Sequence, residues 1–143
     1  SLLKMLENSL SDGALYRFRM MESEEGKIEG ITKLLFEFWE AVKLVWPDLW
    51  ELKPRESRLL HGAGIISLGF LMDAIADRHR DEGWPSKMVF AVELEKIKPH
   101  CRWNEGFWDF GDGNRRKWND IQNISKDVNL LANHLLRIFL RLS

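Results

Sequence analysis

The sequence predicts an all-α fold, a compact multi-helix bundle around one central helix with closely spaced glycines. The central helix is predicted from residues 59–75, LLHGAGIISLGFLMDAI, where an almost unbroken apolar run carries three glycines. Each glycine costs a helix roughly 0.5–1 kcal/mol relative to alanine, so this run indicates that neighbouring chain segments approach it closely. Apolar residues at helical spacing on both sides of the run predict further helices. We therefore expect a single helical domain over residues 1–143.

The first part of the chain predicts a short helix, an extended segment and a long helix. Residues 2–11 place their leucines on one helical face and end at the turn sequence 11–13. Residues 14–21, ALYRFRMM, alternate between two sets of side chains, which favours a short strand or an extended arm. A strongly amphipathic helix follows, and Pro47 is expected to end it at Trp46.

The middle of the chain predicts two helices. Ser57 is the expected N-cap of the glycine-rich helix, which should run to about Arg80. Pro85 fits the first turn of the next helix, although alternating apolar residues before Pro99 leave a strand open.

The last part predicts an aromatic loop and a final helix. Residues 101–114 hold four aromatic side chains among glycines, too many for a free linker. Ser125 is the expected N-cap of the last helix, with Asp127 in the first turn, where the helix dipole favours an anion.

Composition limits the class of protein. The formal net charge of -1 comes from 21 basic and 22 acidic residues, so any binding to nucleic acid must use a local patch. The single cysteine, Cys101, excludes an internal disulfide and favours a reducing compartment, so we expect a cytoplasmic protein. No apolar run reaches the roughly 20 residues of a membrane span. The helical pattern starts directly after Ser1, and we expect the chain to be a C-terminal fragment of a longer protein.

Catalytic and metal-binding patterns are weak. The glycines at 62 and 64 do not follow a strand or match dinucleotide-binding spacing, and the four histidines lack paired ligand spacing. We expect the thiol of Cys101 to be partly buried and inert. Two acidic pairs, at 93 and 95 and at 109 and 112, are expected to be solvated. The sequence therefore predicts no enzyme, no cofactor and no metal.

The most interesting surface feature is the cluster Arg115, Arg116 and Lys117 beside Trp118. Cationic side chains contact phosphates and an aromatic ring stacks on a base, so this cluster favours a nucleic-acid-binding module. Arg17 and Arg19 on the alternating segment could extend it. A cluster of three is short, however, and ordinary solvated helix starts often carry as much, so nucleic-acid binding is the alternative to a structural role.

Several short motifs occur in a characteristic order: FWEAV at 38–42, WPDLW at 46–50, LLHGAGI at 59–65, Trp103, and IQNIS at 121–125. This order resembles the C-terminal region of DGQHR-domain (DndB-like) proteins. The family is linked to bacterial DNA modification and to mobile-element and defence loci. Its naming Asp-Gly-Gln-His-Arg motif is absent here, so the resemblance supplies no catalytic residue.

The resemblance implies a non-catalytic helical accessory or interaction domain. Its partner would be a missing N-terminal domain or another protein, with nucleic acid as a further candidate and no membrane. The matching positions are expected to serve packing and capping: Trp46, Trp50, Gly62, Gly64, Gly69, Gln122 and Asn123.

Overall fold

A computed structural model describes residues 1–142 and has the mostly helical architecture that the sequence predicts. The α-helices are α1 (Leu2–Asp12), α2 (Glu24–Val45), α3 (Gly62–Arg78), α4 (Lys87–Ile97) and α5 (Ser125–Arg141). The sheet found in these residues is one antiparallel hairpin, β1 (Phe107–Asp109) with β2 (Arg115–Lys117). No helix in the described part of the chain is long and apolar enough to cross a bilayer.

Helix α3 lies at the centre and packs against α1, α4 and α5. Its glycines allow two close approaches. A Cβ at Gly64 would overlap the carbonyl oxygen of Arg58, and a Cβ at Gly69 would overlap the Met5 side chain of α1. The predicted role of this run as a tightly packed central helix is therefore confirmed.

The prediction of an extended segment at 14–21 is wrong, because residues Ala14–Met20 form a 3₁₀ helix. Leu15 and Phe18 are both buried, and side chains three residues apart lie on the same side of a 3₁₀ helix. The turn is held at its start by Asp73 of α3, whose carboxylate accepts hydrogen bonds from the Ala14 amide (2.9 Å) and the Ser9 hydroxyl (2.6 Å).

The predicted start of α3 is also wrong. His61 is its N-cap, and the imidazole Nδ1 accepts a hydrogen bond from the Ala63 amide (3.1 Å). The Ser57 hydroxyl instead accepts from the Leu59 amide (3.1 Å) in the irregular segment before the helix. The helix ends at Arg78, close to the predicted end at about Arg80, and a separate 3₁₀ turn begins at Arg80.

The helical alternative for residues 87–97 is correct, but Ser86 is its N-cap and Pro85 lies before the helix. Helix α5 begins at Ser125 itself, with Ile124 in the capping position and no side-chain cap. Asp127 lies in the first turn, as predicted. Helix α2 ends before its capping residue at position 46, in agreement with the expected effect of the following proline.

Candidate nucleic-acid interface

The hairpin divides the predicted basic cluster between two faces. Its register pairs Phe107 with Lys117, Trp108 with Arg116, and Asp109 with Arg115. Successive side chains of a strand point to opposite faces of a sheet. Trp108 is fully buried and lies with Arg116 on the inner face, whereas Phe107, Arg115 and Lys117 lie on the outer face with Asp109.

Arg116 is engaged in an ion pair on the inner face. Its guanidinium donates to both carboxylate oxygens of Asp127 (3.1 and 3.2 Å) and to the carbonyl oxygen of Asp120 (2.8 Å). The same carboxylate accepts from the Gln122 amide (2.8 Å). Burial by itself would raise the pKa of Asp127, but these hydrogen bonds and the positive charge outweigh it and lower that pKa. Arg116 therefore links the hairpin to α5 through hydrogen bonds and an ion pair.

Trp118 also faces the interior and is half-buried. Its ring centre lies 5.6 Å from the guanidinium carbon of Arg58. That guanidinium is itself buried and donates to the carbonyl oxygens of Asn119 and Ile121 (both 2.8 Å). The Trp118 amide donates to the carbonyl oxygen of Gly106 (3.0 Å), which closes the base of the hairpin.

The outer hairpin face, defined as Phe107, Asp109, Arg115 and Lys117 with neighbouring Arg102, presents an exposed aromatic ring among three cations and one carboxylate. Phe107 is 49% exposed, and the guanidinium carbon of Arg115 lies 5.1 Å from its ring centre. Lys117 is directly opposite Phe107 in the register. Arg102 lies beside Gly106, where an added Cβ would be 3.2 Å from its Cδ. Sequence reasoning missed Phe107 and Arg102.

The missed hairpin has a signal in the sequence. Asp112 and Gly113 both have positive φ, 51° and 75°. An Asp-Gly pair is a strong signal for a tight hairpin turn because both residues adopt this conformation readily. The pair would have predicted strands on either side of 111–114, and with them the alternation of the basic cluster.

A groove of about 600 Å³ adjoins the outer hairpin face at Gly106. It lies between the C-terminal end of α2 and the loop that follows α4. Trp46 and Trp103 are the buried aromatic residues of its lining, and their rings meet edge to face at 6.0 Å. The exposed polar residues of the lining are Asp48, Lys98, Arg102, Asn104 and Glu105.

The acidic residues that were expected to be solvated behave differently from one another. Glu95, Asp109 and Asp112 are exposed, as predicted, but Glu93 is buried. Its carboxylate accepts from Lys96 (2.9 Å) and from Arg78 of α3 (3.2 Å). Burial would raise the pKa of Glu93, yet these cations lower it overall. The prediction for Glu93 is therefore wrong, because one of its cationic partners, Arg78, comes from a different helix.

The remaining side chains that could take part in catalysis or metal binding also make contacts within the fold. Cys101 is buried, which raises the pKa of its thiol and disfavours the reactive thiolate. His134 is buried with its Nε2 3.2 Å from the carbonyl oxygen of His100, and burial lowers its pKa. Within residues 1–142, no three histidine, cysteine or carboxylate groups come together to hold a metal ion.

Arg17 and Arg19 lie on the 3₁₀ helix that follows α1, outside the hairpin. The guanidinium carbon of Arg17 is 3.8 Å from the centre of the Trp84 ring, and that of Arg19 is 5.5 Å from the centre of the Tyr16 ring. Both therefore make contacts within the chain.

Comparison of the chain with protein-family models, with curated proteins and with solved structures gave no match.

Proposed function

We propose that this chain is a non-catalytic interaction domain. The proposal is supported by the engagement of its acidic, histidine and thiol groups in contacts that hold the fold. Glu93 and Asp127 each pair with cations from another element, and His134 lies against a backbone carbonyl. A hydrolytic or transfer activity that depended on one of these side chains would contradict the proposal.

The nature of the interaction is suggested by the outer hairpin face, and we propose that it binds nucleic acid. Arg115 and Lys117 extend from a strand whose inner residue, Arg116, is ion-paired with Asp127 of α5, so their cationic groups are presented on an anchored strand. Phosphates are neutralised by such cations, and an exposed phenyl ring offers a stacking surface to a base. A chain with net charge -1 needs a local patch of this kind, and the hairpin supplies one.

The membership of the DGQHR group remains a proposal, supported by the order of the motifs. The glycines in those motifs allow the close packing of α3, and the Asn123 side-chain amide donates to the Ser1 hydroxyl (3.1 Å). An Asp-Gly-Gln-His-Arg sequence encoded upstream in the same reading frame would support this proposal. A start codon immediately before the first residue would contradict it.

The nucleic-acid proposal is tested by the anisotropy of labelled oligonucleotides over a series of salt concentrations from about 50 mM upwards. Each phosphate contact to a single strand contributes about 0.7 to the slope of log affinity against log salt. The double variant Arg115→Ala with Lys117→Ala should therefore lower that slope by about 1.4. Phe107→Ala should weaken binding by about 1–3 kcal/mol through the loss of stacking.

A matched control removes one arginine and one lysine elsewhere on the exposed surface, Arg80→Ala with Lys87→Ala. This variant has the same net charge as the hairpin variant and should keep most of the affinity. Absence of binding by the unmodified chain, or an equal loss in both variants, would contradict a site on the outer hairpin face.

A further inference from the structure

The groove beside the hairpin continues the outer hairpin face. Gly106 lines the groove and directly precedes Phe107, and Arg102 both lines the groove and lies against Gly106. A nucleic-acid strand that stacks one base on Phe107 would thus bring its next nucleotide to the groove. A volume of about 600 Å³ lies in the range of small-molecule sites, which is enough to admit a base with its sugar.

The groove has the polar groups to discriminate among bases. Lys98 and Arg102 are its cations. One guanidinium nitrogen of Arg102 donates to the carbonyl oxygens of Pro99 (2.9 Å) and Cys101 (2.8 Å), and its remaining N–H groups, like the Lys98 ammonium, suit phosphate oxygens. Asp48, Asn104 and Glu105 supply acceptor oxygens, which repel phosphates but accept hydrogen bonds from an amino group on a base. This division favours a strand whose phosphates follow the cations and whose base turns towards the acceptors.

The buried lining adds one donor. The indole N–H of Trp103 has no hydrogen-bond partner among the described residues, although its side chain is almost completely buried. The indole nitrogen lies beneath the groove surface. A buried donor without a partner costs free energy, and the carbonyl of a pyrimidine would provide that partner if the indole turned towards the groove. Cytosine carries both this carbonyl and an amino group, whereas thymine has no amino group.

We propose that the groove binds a cytosine base of single-stranded nucleic acid next to the nucleotide on Phe107. The inference rests on the proposed nucleic-acid function of the outer hairpin face. A duplex cannot occupy the groove in this way, because its base edges are paired and its bases are stacked within the helix. The chain should therefore prefer single strands to duplexes, and cytosine to thymine.

The test compares short oligodeoxycytidylate and oligothymidylate of equal length, with Trp fluorescence and anisotropy as readouts. The two strands have the same number of phosphates, so the ratio of their affinities isolates the base. We expect the unmodified chain to bind oligodeoxycytidylate about fivefold more tightly or better, the discrimination typical of a good hydrogen-bonded base contact.

A triple variant removes the acceptors, Asp48→Ala with Asn104→Ala and Glu105→Ala, and should bring the ratio of affinities close to one. Its control is Asp81→Ala with Glu95→Ala and Asn133→Ala, which makes the same changes at exposed positions outside the groove and should keep the ratio. The loss of two negative charges raises affinity for any strand in both variants, but it leaves the ratio unaffected.

The outcomes separate this inference from the function on which it rests. Three results would refute cytosine binding in the groove. They are a ratio of affinities near one in the unmodified chain, a cytosine preference that survives the triple variant, and equal binding of a duplex. If Phe107→Ala still weakens the binding of both strands, the outer hairpin face remains the nucleic-acid site. If neither strand binds, both proposals fail. A ratio near one on the unmodified chain refutes the groove proposal even if a variant does not fold.

Discussion

Replacing Arg116 with alanine should reduce stability far more than replacing its neighbour Arg115. Arg116 makes two hydrogen bonds to Asp127, whose side chain is only 3% exposed, while the Arg116 side chain is 26% exposed. Exposed pairs contribute about 0–1 kcal/mol, and breaking a buried pair costs about 3–5 kcal/mol. With one partner buried and the other partly exposed, Arg116→Ala should cost about 2–4 kcal/mol.

This loss is measurable by thermal unfolding at neutral pH, followed by circular dichroism. For a chain of this size, 1 kcal/mol corresponds to about 4 °C, so Tm should fall by about 8–16 °C. Arg115 is exposed and its replacement should change stability by no more than about 0.5 kcal/mol. Arg116→Lys keeps the charge but not the two-pronged geometry and should fall between them. Equal stability of the two alanine variants would refute the assignment of Arg116 as a structural tie.

Three further predictions concern stability. Gly64→Ala should destabilise the fold by about 1–3 kcal/mol, and more than Gly69→Ala, because the added methyl meets backbone at the first position and a flexible methionine at the second; equal losses in urea unfolding would contradict this. Because the pKa of Asp127 is lowered on folding, its contribution to stability is complete above about pH 4, the range of an unfolded carboxyl, and is lost as pH falls through the lower pKa of the folded state. The stability difference between the unmodified chain and Asp127→Asn should therefore shrink with acid. A difference that stays constant would contradict this prediction. Burial raises the pKa of Asp73, although hydrogen bonds from Ser9 and Ala14 act to lower it. The contribution of Asp73 to stability is therefore complete below about pH 4 and is lost as pH rises through the raised pKa. Asp73→Asn keeps an acceptor oxygen without the charge and should be at least as stable as the unmodified chain at neutral pH, which a loss above about 1 kcal/mol in the same assay would disprove.

The sequence predicted the long elements well because their burial follows one helical period. Helices α2 and α5 expose one face and bury the other, and this pattern is visible without tertiary information. The glycines of α3 were interpretable for a similar reason, since a glycine at 64 or 69 has a cost that only close packing explains.

The errors arose where a partner from elsewhere in the chain decides the local structure. The segment 14–20 shows a two-residue alternation, but Asp73 of α3 holds its first amide and fixes a 3₁₀ turn. Glu93 looks like a surface residue until Arg78 is placed beside it. His61 is an uncommon capping residue, and its choice over Ser57 depends on where the chain can first enter α3.

The basic cluster illustrates the same limit for the candidate site. Residues that are adjacent in sequence are on opposite faces once they belong to a strand, so Arg115 and Lys117 separate from Arg116. Arg116 and Trp118 are therefore no longer candidate contacts with nucleic acid. Phe107 takes their place, because it is distant in sequence but adjacent to Lys117 in the hairpin. This change of candidate residues depends on the strand register, and a count of basic residues could not have predicted it.

The size of the remaining patch connects the two proposed functions. The three cations of the outer hairpin face, Arg102, Arg115 and Lys117, imply a salt slope of about -2 with a single strand. Affinity should then fall about 20-fold between about 50 and 200 mM salt. A domain with so few phosphate contacts gains little affinity from counterion release, and a neighbour that binds the same strand would raise the effective concentration of the hairpin. Weak contact of this kind is what an accessory domain requires, and a much steeper slope would mean that cations outside the hairpin carry the binding.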